Sequence, residues 1–563
     1  MGLAAALNAG KTSLFTNQKS IEITGNNISN VNTEGYSRQK PVFSDFPSLN
    51  FGDFFIGQGV KVSGVVRDYD VFVSEQLLDK NQQLGSEDAK STPLAELERI
   101  FSVGDENLAT EIDRFFDAWQ ELSTNPSGQV ERDIVIQRGE LLAAEFNTIA
   151  RDLENVQNNI NDTVRSELDA VNLKLTQIAD LNQRIQNLES TGQTANSFRD
   201  QRDLLLQELT YSLGVQSFPD AAGAINVQLP GGLPLVQSGT ALQLEAVVQG
   251  DDLKLELAIG NSRFDVSGRN LGGKFAGLLE IRDQFVPELQ QDLNKTAYQL
   301  VQQVNSRHEQ GTGLDGSTGI PFFQNPGNHT SQGYASATSD YFTGGTIALQ
   351  VGGEDRSFTL DPASGPYSLD ELASAINSAT GADLTATTSQ QGDGGYALVL
   401  TPAYDLANNS PLSVQVDLSA LGTTGGASVP AFSMPSMANL MAMALQNPSQ
   451  VAAGSSSAPG DNTNALAIAA LKDEKAVNGE DTFVSFYGKM AARVGVEASQ
   501  NRLAQTGSQD ALTQLQNLRD AKVGVSLEEE MIALIKYQRG FEASAKLLST
   551  VDEMMATVLT IKQ

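Results

Sequence analysis

Apolar residues at the two ends of this chain follow the spacing of helices that pack lengthwise. Near the start they recur every seven positions, at Leu7, Leu14, Ile21 and Ile28. Near the end they are separated by three, four or seven positions, at Leu527, Met531, Leu534, Phe541, Ala545, Leu548, Met555 and Leu559. A narrow apolar stripe of this kind predicts a coiled-coil helix that needs a partner. We therefore predict that the ends pair with each other and that the two stripes form an assembly seam.

The region behind the first helix also predicts helices. From Asp70 to Glu189 the apolar positions keep a helical period, and one such face carries the single tryptophan, Trp119. Long helices with narrow stripes are typical of bundles or rods. We interpret Trp119 as a core residue of this helical body.

The period of apolar residues changes to two near Gly214, which predicts antiparallel strands. Residues 225–229 and 253–257 alternate in this way, and a second such block spans about 330–430. The clearest strand of that block carries Leu412, Val414, Val416 and Leu418. Ser368 predicts the N-cap of a short helix that runs to Asn377. We interpret residues 436–465, which are rich in Ser, Asn, Pro and Gly, as a linker.

Together these patterns predict an α+β multidomain fold. Its core is a long α-helical coiled coil or bundle built from both chain ends, with inserted β-rich domains. The predicted domains are a terminal coiled-coil domain (1–35 with 525–563), a helical body (36–195 with 436–524), a β-rich inserted domain (196–329) and a second, outer β-rich module (330–435). Ser526 and Glu529 predict a capping box at the start of the last helix.

Charge narrows the choice of partners. The net charge of −31 over 563 residues argues against nucleic acid and against an anionic membrane surface, because both attract basic proteins. No apolar run reaches the ~20 residues of a membrane span, so we predict no membrane insertion. Residues 1–10 lack the basic start of a signal peptide, so we expect no cleavable secretory signal.

Candidate chemistry is sparse. The chain has no cysteine, which excludes thiolate catalysis and cysteine-based metal sites. His308 and His329 lack a short fixed spacing that would indicate a metal site. Asp200, Arg202 and Asp203 form a dense charged cluster, which we interpret as a solvated salt-bridge cluster on a helix. We predict no catalytic, cofactor-binding or metal site, and therefore no enzyme.

One stretch resembles a known family. The residues Asn26, Asn27, Ile28, Ser29, Asn30, Thr33, Gly35, Tyr36 and Arg38 resemble the N-terminal signature of flagellar rod, hook and hook-associated proteins. The stretches 57–60, 200–204, 272–279 and 459–467 resemble the hook-associated members, as do 525–530 and 537–539 in the last helix. Residues 345–377 resemble a small module of flagellins and hook-associated proteins.

The resemblance implies a structural role in the extracellular bacterial flagellum, at the junction between hook and filament. It implies type III export, terminal helices that become ordered on assembly, and a ring of about eleven copies. The implied partners are the hook protein, a second junction protein (hook-associated protein 3) and an export chaperone on the C-terminal helix. Two alternatives remain open: a hook or rod axial protein, and a secreted adhesin whose β modules are binding heads.

Overall fold

The computed structural model describes most of the chain. The described residues are 2–50, 55–101, 107–249, 252–260, 262–267, 271–323, 329–331, 333–352, 354–390, 395–405, 410–411, 414–424, 429–430, 432–433, 441–445 and 447–561. Leu412 of the predicted strand lies outside them.

Long helices carry most of the structure. The helices are α1 Gly2–Ser29, α2 Val71–Ile100, α3 Leu108–Thr124, α4 Gln129–Ser190, α5 Asn196–Leu213, α6 Gly273–Glu280, α7 Val286–Gln310, α8 Leu369–Thr380, α9 Thr463–Ala469, α10 Phe483–Val523 and α11 Leu527–Ile561. A π-helical turn, Ile281–Phe285, joins α6 to α7.

The strands are short and pair antiparallel. They are β1 Gln39–Asp45, β2 Leu49–Asn50, β3 Phe55–Ile56, β4 Val60–Arg67, β5 Gln216–Pro219, β6 Ile225–Gln228, β7 Pro234–Gln237, β8 Thr240–Ala241, β9 Leu244–Gln249, β10 Asp252–Ile259, β11 Ser262–Asp265, β12 His329–Ser331, β13 Asp340–Val351, β14 Glu354–Asp355, β15 Phe358–Leu360, β16 Tyr367–Ser368, β17 Leu384–Gln390, β18 Tyr396–Pro402, β19 Tyr404–Asp405, β20 Ser410–Pro411, β21 Val414–Asp417, β22 Leu421–Thr423 and β23 Phe432–Ser433. With the helices, they confirm the predicted α+β multidomain fold.

The chain divides into two compact units, and the first contains both ends. It consists of Met1–Pro93, Asn159–Arg282 and Ala498–Gln563. Here β1 pairs with β4, with Gln39 opposite Arg67. The sheets β5–β6–β7–β8 and β11–β10–β9 also belong to this unit.

The second unit, Leu94–Asn158 with Asp283–Glu497, is built on an aromatic core. We use that name for Phe115, Phe116, Trp119, His308, Phe322 and Phe323, each of which is at most 1% exposed. The Phe322 ring lies 5.4 Å from Trp119 and 4.8 Å from Phe323 between centroids. The core position predicted for Trp119 is thereby confirmed.

The outer β module has its own core in this unit. Strand β13 is central, because β14, β15, β16, β21 and β22 all pair with it. The predicted N-cap is confirmed: the Glu371 N–H donates to Ser368 Oγ (3.3 Å), and the Ser368 N–H donates to Glu371 Oε2 (2.8 Å). Leu369, Leu372 and Ile376 of α8 are fully buried against the sheet residues.

The interpretation of residues 436–465 as a linker is wrong. The described part of the predicted linker 436–465 is packed, since Met441, Val451 and Ala465 are almost completely buried. His308 and Arg132 hold its backbone: the Ala452 N–H donates to His308 Nε2 and Arg132 donates to the Val451 carbonyl. Small residues misled the prediction, because Ala and Ser allow close packing as well as flexibility.

The predicted capping box of α11 is also only half formed. The Glu529 N–H lies 3.5 Å from Ser526 Oγ, but the Glu529 carboxylate binds Arg38 and does not return to the Ser526 backbone. A distant arginine has therefore replaced the local partner, because a charged donor offers a stronger hydrogen bond than a neutral N–H.

Candidate functional site

The two ends of the chain pack against each other as α1 and α11, which we call the terminal pair. Positions 10, 13, 17 and 27 of α1 meet positions 548, 544, 540 and 530 of α11 in that order, so the helices are antiparallel. The hydroxyls of Ser13 and Ser544 lie 2.8 Å apart. A methyl group placed on Gly540 would lie 2.6 Å from Asn17 Oδ1. Small residues at these positions therefore let side chains of the partner helix pack directly against them.

The buried positions of α1 are largely polar. Thr16, Ser20, Thr24 and Asn27 are each at most 7% exposed. Thr16 Oγ1 donates to the Val60 carbonyl at 2.9 Å, so β4 covers a second side of this helix. Glu530, Ser544 and Val551 are the most buried residues on α11, and they keep a seven-residue register.

The predicted seam residues lie beside these buried positions. Half-buried side chains belong to Leu7, Leu14, Ile21, Ile28, Leu534, Phe541, Ala545, Leu548 and Met555. Leu527 and Met531 are 47% and 56% exposed. Leu559 lies in α11, but its side chain is outside the described residues. The role of these residues in assembly stays a prediction.

Sequence reasoning missed the polar half of this interface. Ser13, Ser20 and Asn27 also recur every seven residues, one position before Leu14, Ile21 and Ile28. A search weighted towards apolar residues passes over such a stripe. The heptad spacing of these small and amide side chains, beside the apolar heptad positions of the same helix, could have predicted the polar half of the interface.

Asn27 of the signature closes the end of α1 onto the residues that follow it. Its Nδ2 donates to the Gln39 carbonyl (2.9 Å) and to Glu530 Oε2 (3.0 Å). Its Oδ1 accepts from the Tyr36 hydroxyl (2.8 Å) and from the Gln39 N–H (3.0 Å). These hydrogen bonds hold the Asn27 side chain and its partners in one arrangement. Any other arrangement would leave a buried polar atom without a hydrogen bond, which is costly.

Arg38 completes this polar contact between the ends. Its Nε donates to Glu530 Oε1 and its Nη1 to Glu529 Oε2, both at 2.7 Å. Burial opposes the charge on Arg38, but the hydrogen bonds to Glu529 and Glu530 outweigh burial and raise the pKa of Arg38. The Glu530 side chain is only 3% exposed, so its charge depends on Arg38 and Asn27 for compensation.

Tyr36 lies between two carboxylates. Burial raises the pKa of Tyr36 to about 12, and the negative charges of Asp200 and Glu530 add to the effect. The Tyr36 hydroxyl therefore stays protonated and donates to Asn27 throughout the physiological range.

The other signature residues shape the turn after α1. Asn30 Nδ2 donates to Asn26 Oδ1 (2.8 Å), Thr33 Oγ1 donates to Asn30 Oδ1 (3.2 Å), and Ser29 Oγ donates back to the Gly25 carbonyl (2.9 Å). Gly35 has φ +74°, a left-handed conformation that favours glycine. We call residues 30–38 the signature loop.

The charged cluster on α5 is buried, so the interpretation as a solvated cluster is wrong. Asp200 and Arg202 are 6% and 3% exposed. Arg67 bridges Asp200 Oδ1 (2.9 Å) and Asp203 Oδ2 (2.6 Å). Arg202 instead donates to Asn182 Oδ1 and to the Gly223 carbonyl, both at 2.9 Å. The cluster is therefore a structural network that joins β4 to α5.

His308 is a core residue of the second unit. Its Nδ1 lies 2.7 Å from the Ile320 carbonyl, while Nε2 accepts from the Ala452 N–H at 2.9 Å. Burial lowers the pKa of His308 to about 4. Within the described residues there is no group of three or more His, Asp or Glu side chains that could hold a metal ion. The side chain of His329 is outside that part of the chain.

The described helices include none that combines the length and the apolar character of a transmembrane segment.

Three family models match parts of the chain. The flagellar hook-associated protein FlgK helical domain matches residues 94–323. The C-terminal domain of the flagellar basal body rod FlgEFG proteins matches 521–561, and the flagella basal body rod protein model matches 7–36. The last two cover most of α11 and α1, so the terminal pair is the part shared with rod proteins.

Full-length relatives carry one name. Flagellar hook-associated protein 1 of Salmonella typhimurium is 25% identical over 582 residues and covers 100% of both chains. The protein of that name from Bacillus subtilis is 24% identical, covering 99% of this chain and 97% of its own. The structure of the flagellar hook junction protein FlgK from Burkholderia pseudomallei shares the fold, with a TM-score of 0.54 at 20% identity, and covers 80% of this chain and 100% of that one.

These relatives are structural proteins of the flagellum and not an enzyme family. The resemblance found in the sequence is therefore confirmed. The chain belongs to the family of flagellar hook-associated protein 1, a structural family of the bacterial flagellum, an extracellular appendage.

Proposed function

We propose that this chain forms the hook–filament junction by assembling with copies of itself through the terminal pair, and that filament growth depends on that assembly. The observation that carries the proposal is an apolar stripe on α11 that α1 leaves uncovered. Leu527, Met531, Ile532 and Ile535 form its first part, and Ile532 is 68% exposed. Leu547, Met554 and Val558 are also exposed near the end of the helix, but the heptad spacing places them on the side of Ser544 and Val551 and not on this stripe.

Such a stripe needs further partners. Single exposed apolar residues are common, but a row of them along one helix marks an interaction surface. The α1 side of the pair is rich in small and polar residues, so mutual burial gives the two helices modest stability. Neighbouring copies that cover Met531, Ile532 and Ile535 would supply the missing burial, and a repeated heterologous contact closes a ring.

The family resemblance supplies the finer partners of this proposal. The ring has about eleven copies, with the hook protein on one side and hook-associated protein 3 on the other. Before assembly, an export chaperone covers α11. The same apolar stripe serves both states, because a helix face that later lies against another copy has to be shielded during export.

The test is complementation of cells that lack this chain. Ile535→Asp places a charge on the exposed stripe, where it leaves the contacts with α1 untouched but opposes burial between copies. We expect a folded, exported protein that is missing from hook tips, with hooks that lack filaments and flagellin shed into the medium. Thr550→Asp, on an exposed polar position of the same helix beyond the stripe, is the matched control and should support normal filaments.

Substitutions of the half-buried seam residues test the same proposal at the contact between α1 and α11. Leu14→Asp and Leu534→Asp should leave a soluble, folded body that cannot assemble at hook tips, because each puts a carboxylate beside the partner helix. Electron microscopy of hook ends and swimming assays measure the loss. Normal filament growth in Ile535→Asp together with both seam variants would contradict the proposal.

A further inference from the structure

Two adjacent residues of the signature loop hold carboxylates from different parts of the first unit. The Ser37 N–H donates to Asp200 Oδ2 on α5 at 3.2 Å. The next residue, Arg38, binds Glu529 and Glu530 at the start of α11. A single stretch of backbone therefore contacts the body and the terminal pair at once.

The α5 side of this contact is firmly held. Asp200 receives Arg67 Nη1 on its other oxygen at 2.9 Å, and Arg67 Nη2 also reaches Asp203. The side chains of Asp200 and Arg67 are 7% and 11% exposed. Since these charges are largely removed from water, losing one partner leaves an uncompensated charge, which is costly.

The loop between the two contacts is closely packed. A methyl group placed on Gly35 would lie 3.5 Å from Leu204 Cβ on α5. The Tyr36 hydroxyl is bound to Asn27, which also holds Glu530. The loop is therefore held on both sides, and a shift on one side displaces the donors of the other.

We propose that the signature loop is a coupling element: docking of Ser37 on Asp200 favours pairing of α1 with α11, and pairing favours docking. The loop supplies hydrogen-bond donors to three carboxylates, with Ser37 on Asp200 and Arg38 on Glu529 and Glu530, so its arrangement is favourable only when both sides are in place. Such coupling is reciprocal by thermodynamic necessity. This goes beyond the junction role, because the contacts that carry it all lie within one copy.

The absence of cysteine from the chain provides a clean probe. Ser13→Cys with Ser544→Cys places one thiol on each helix of the pair, where the native hydroxyls lie 2.8 Å apart. The equilibrium between this dithiol and its disulfide in a glutathione buffer measures the effective concentration of one end at the other. The measurement uses the full-length monomer.

Asp200→Asn in this background tests the coupling, since Asp200 does not touch α1 or α11 in any hydrogen bond or ion pair among the described residues. We expect the effective concentration to fall by about 5-fold or more, the usual lower end of coupling between sites. The matched control is Glu189→Gln, which breaks the ion pair to Arg199, the residue next to Asp200 on α5. It should change the effective concentration by less than about threefold.

The reciprocal measurement guards against simple unfolding of the Asp200→Asn variant. Glu530→Gln changes only the α11 side, yet it should speed amide exchange of the Ser37 N–H, which binds Asp200. The double variant, Asp200→Asn with Glu530→Gln, should lower the effective concentration by a smaller factor than the product of the factors for the two single variants. Equal effective concentrations in Asp200→Asn and Glu189→Gln, or unchanged Ser37 exchange in Glu530→Gln, would overturn the coupling while leaving the junction proposal intact.

Discussion

The aromatic core of the second unit and the terminal pair of the first solve the packing problem in opposite ways. The core brings large rings together, such as Phe115 and Phe322 at 5.6 Å between centroids. The terminal pair buries Ser20, Asn27 and Glu530 and leaves Ile532 mostly exposed. The aromatic core buries its large apolar side chains, whereas the terminal pair buries polar side chains and leaves an apolar stripe exposed to solvent.

The difference shows that one kind of contact mainly provides stability and the other mainly provides specificity for one partner and one register. Burial of aromatic rings contributes much free energy but little directional information. A buried polar contact such as Asn27 with Glu530 contributes less net free energy, yet it is costly in any other register. A chain end that has to find one partner and one register benefits more from the second kind of contact.

The largest expected effect lies in the aromatic core. Phe322→Ala should lower the free energy of unfolding of the second unit by about 3–5 kcal/mol, because it removes a fully buried ring and leaves a cavity. Denaturation followed by the fluorescence of Trp119, whose ring is 5.4 Å from Phe322, measures the loss locally.

The control for this prediction is Val130→Ala in the same unit. Val130 is 68% exposed, so its truncation should change the unfolding free energy by less than about 0.5 kcal/mol. Equal losses in the two variants would show that the rings around Trp119 do not carry the stability of this unit, and the contrast with the terminal pair would fail.

Acid should weaken the second unit through His308. Burial lowers its pKa to about 4, whereas the pKa of an unfolded histidine is about 6.5. The unfolded chain therefore binds the proton first. The stabilising contribution is complete above pH 6.5 and is lost as the pH falls towards 4, by about 1.4 kcal/mol per pH unit and about 3 kcal/mol in all.

His308→Gln isolates this contribution from that of the carboxylates. Glutamine can still face the Ile320 carbonyl and the Ala452 N–H, but it does not titrate. The unfolding free energy of the variant, followed by Trp119 fluorescence between pH 7 and pH 4, should fall less steeply than that of the natural protein. The same slope in both proteins would mean that His308 is protonated in the folded core.

Much of the fold could be predicted from apolar periodicity. The helical ends, the helical body, the core position of Trp119 and the N-cap at Ser368 all follow from local spacing and propensity. Periodicity succeeds there because burial of an apolar face determines those elements.

The remaining features depend on contacts between residues far apart in the chain. Glu529 sits at the capping-box position after Ser526 but binds Arg38, which is 491 residues away. The charged residues of α5 resemble a solvent-exposed cluster until Arg67 and Ser37 are placed over them. Pattern reasoning assigns polar residues to the surface, and it fails wherever polar partners meet inside the protein.

The smallest effect compares two helical glycines of the first unit. Gly540 lies in the terminal pair, where a methyl group would come within 2.6 Å of Asn17. Gly507 lies on an exposed part of α10, where a methyl group would meet nothing within 4 Å. Alanine favours a helix by about 0.5–1 kcal/mol at either position, so only the available space differs between them.

We therefore expect opposite signs. Gly507→Ala should raise the unfolding free energy of the first unit by about 0.5–1 kcal/mol. Gly540→Ala should cost about 1–3 kcal/mol of overpacking, partly offset by the propensity gain. In the background with Ser13→Cys and Ser544→Cys, it should therefore lower the effective concentration of the two thiols by about fivefold. An increase in that concentration would mean that the Asn17 side chain moves aside at little cost, and that the glycine at position 540 does not set the spacing of the pair.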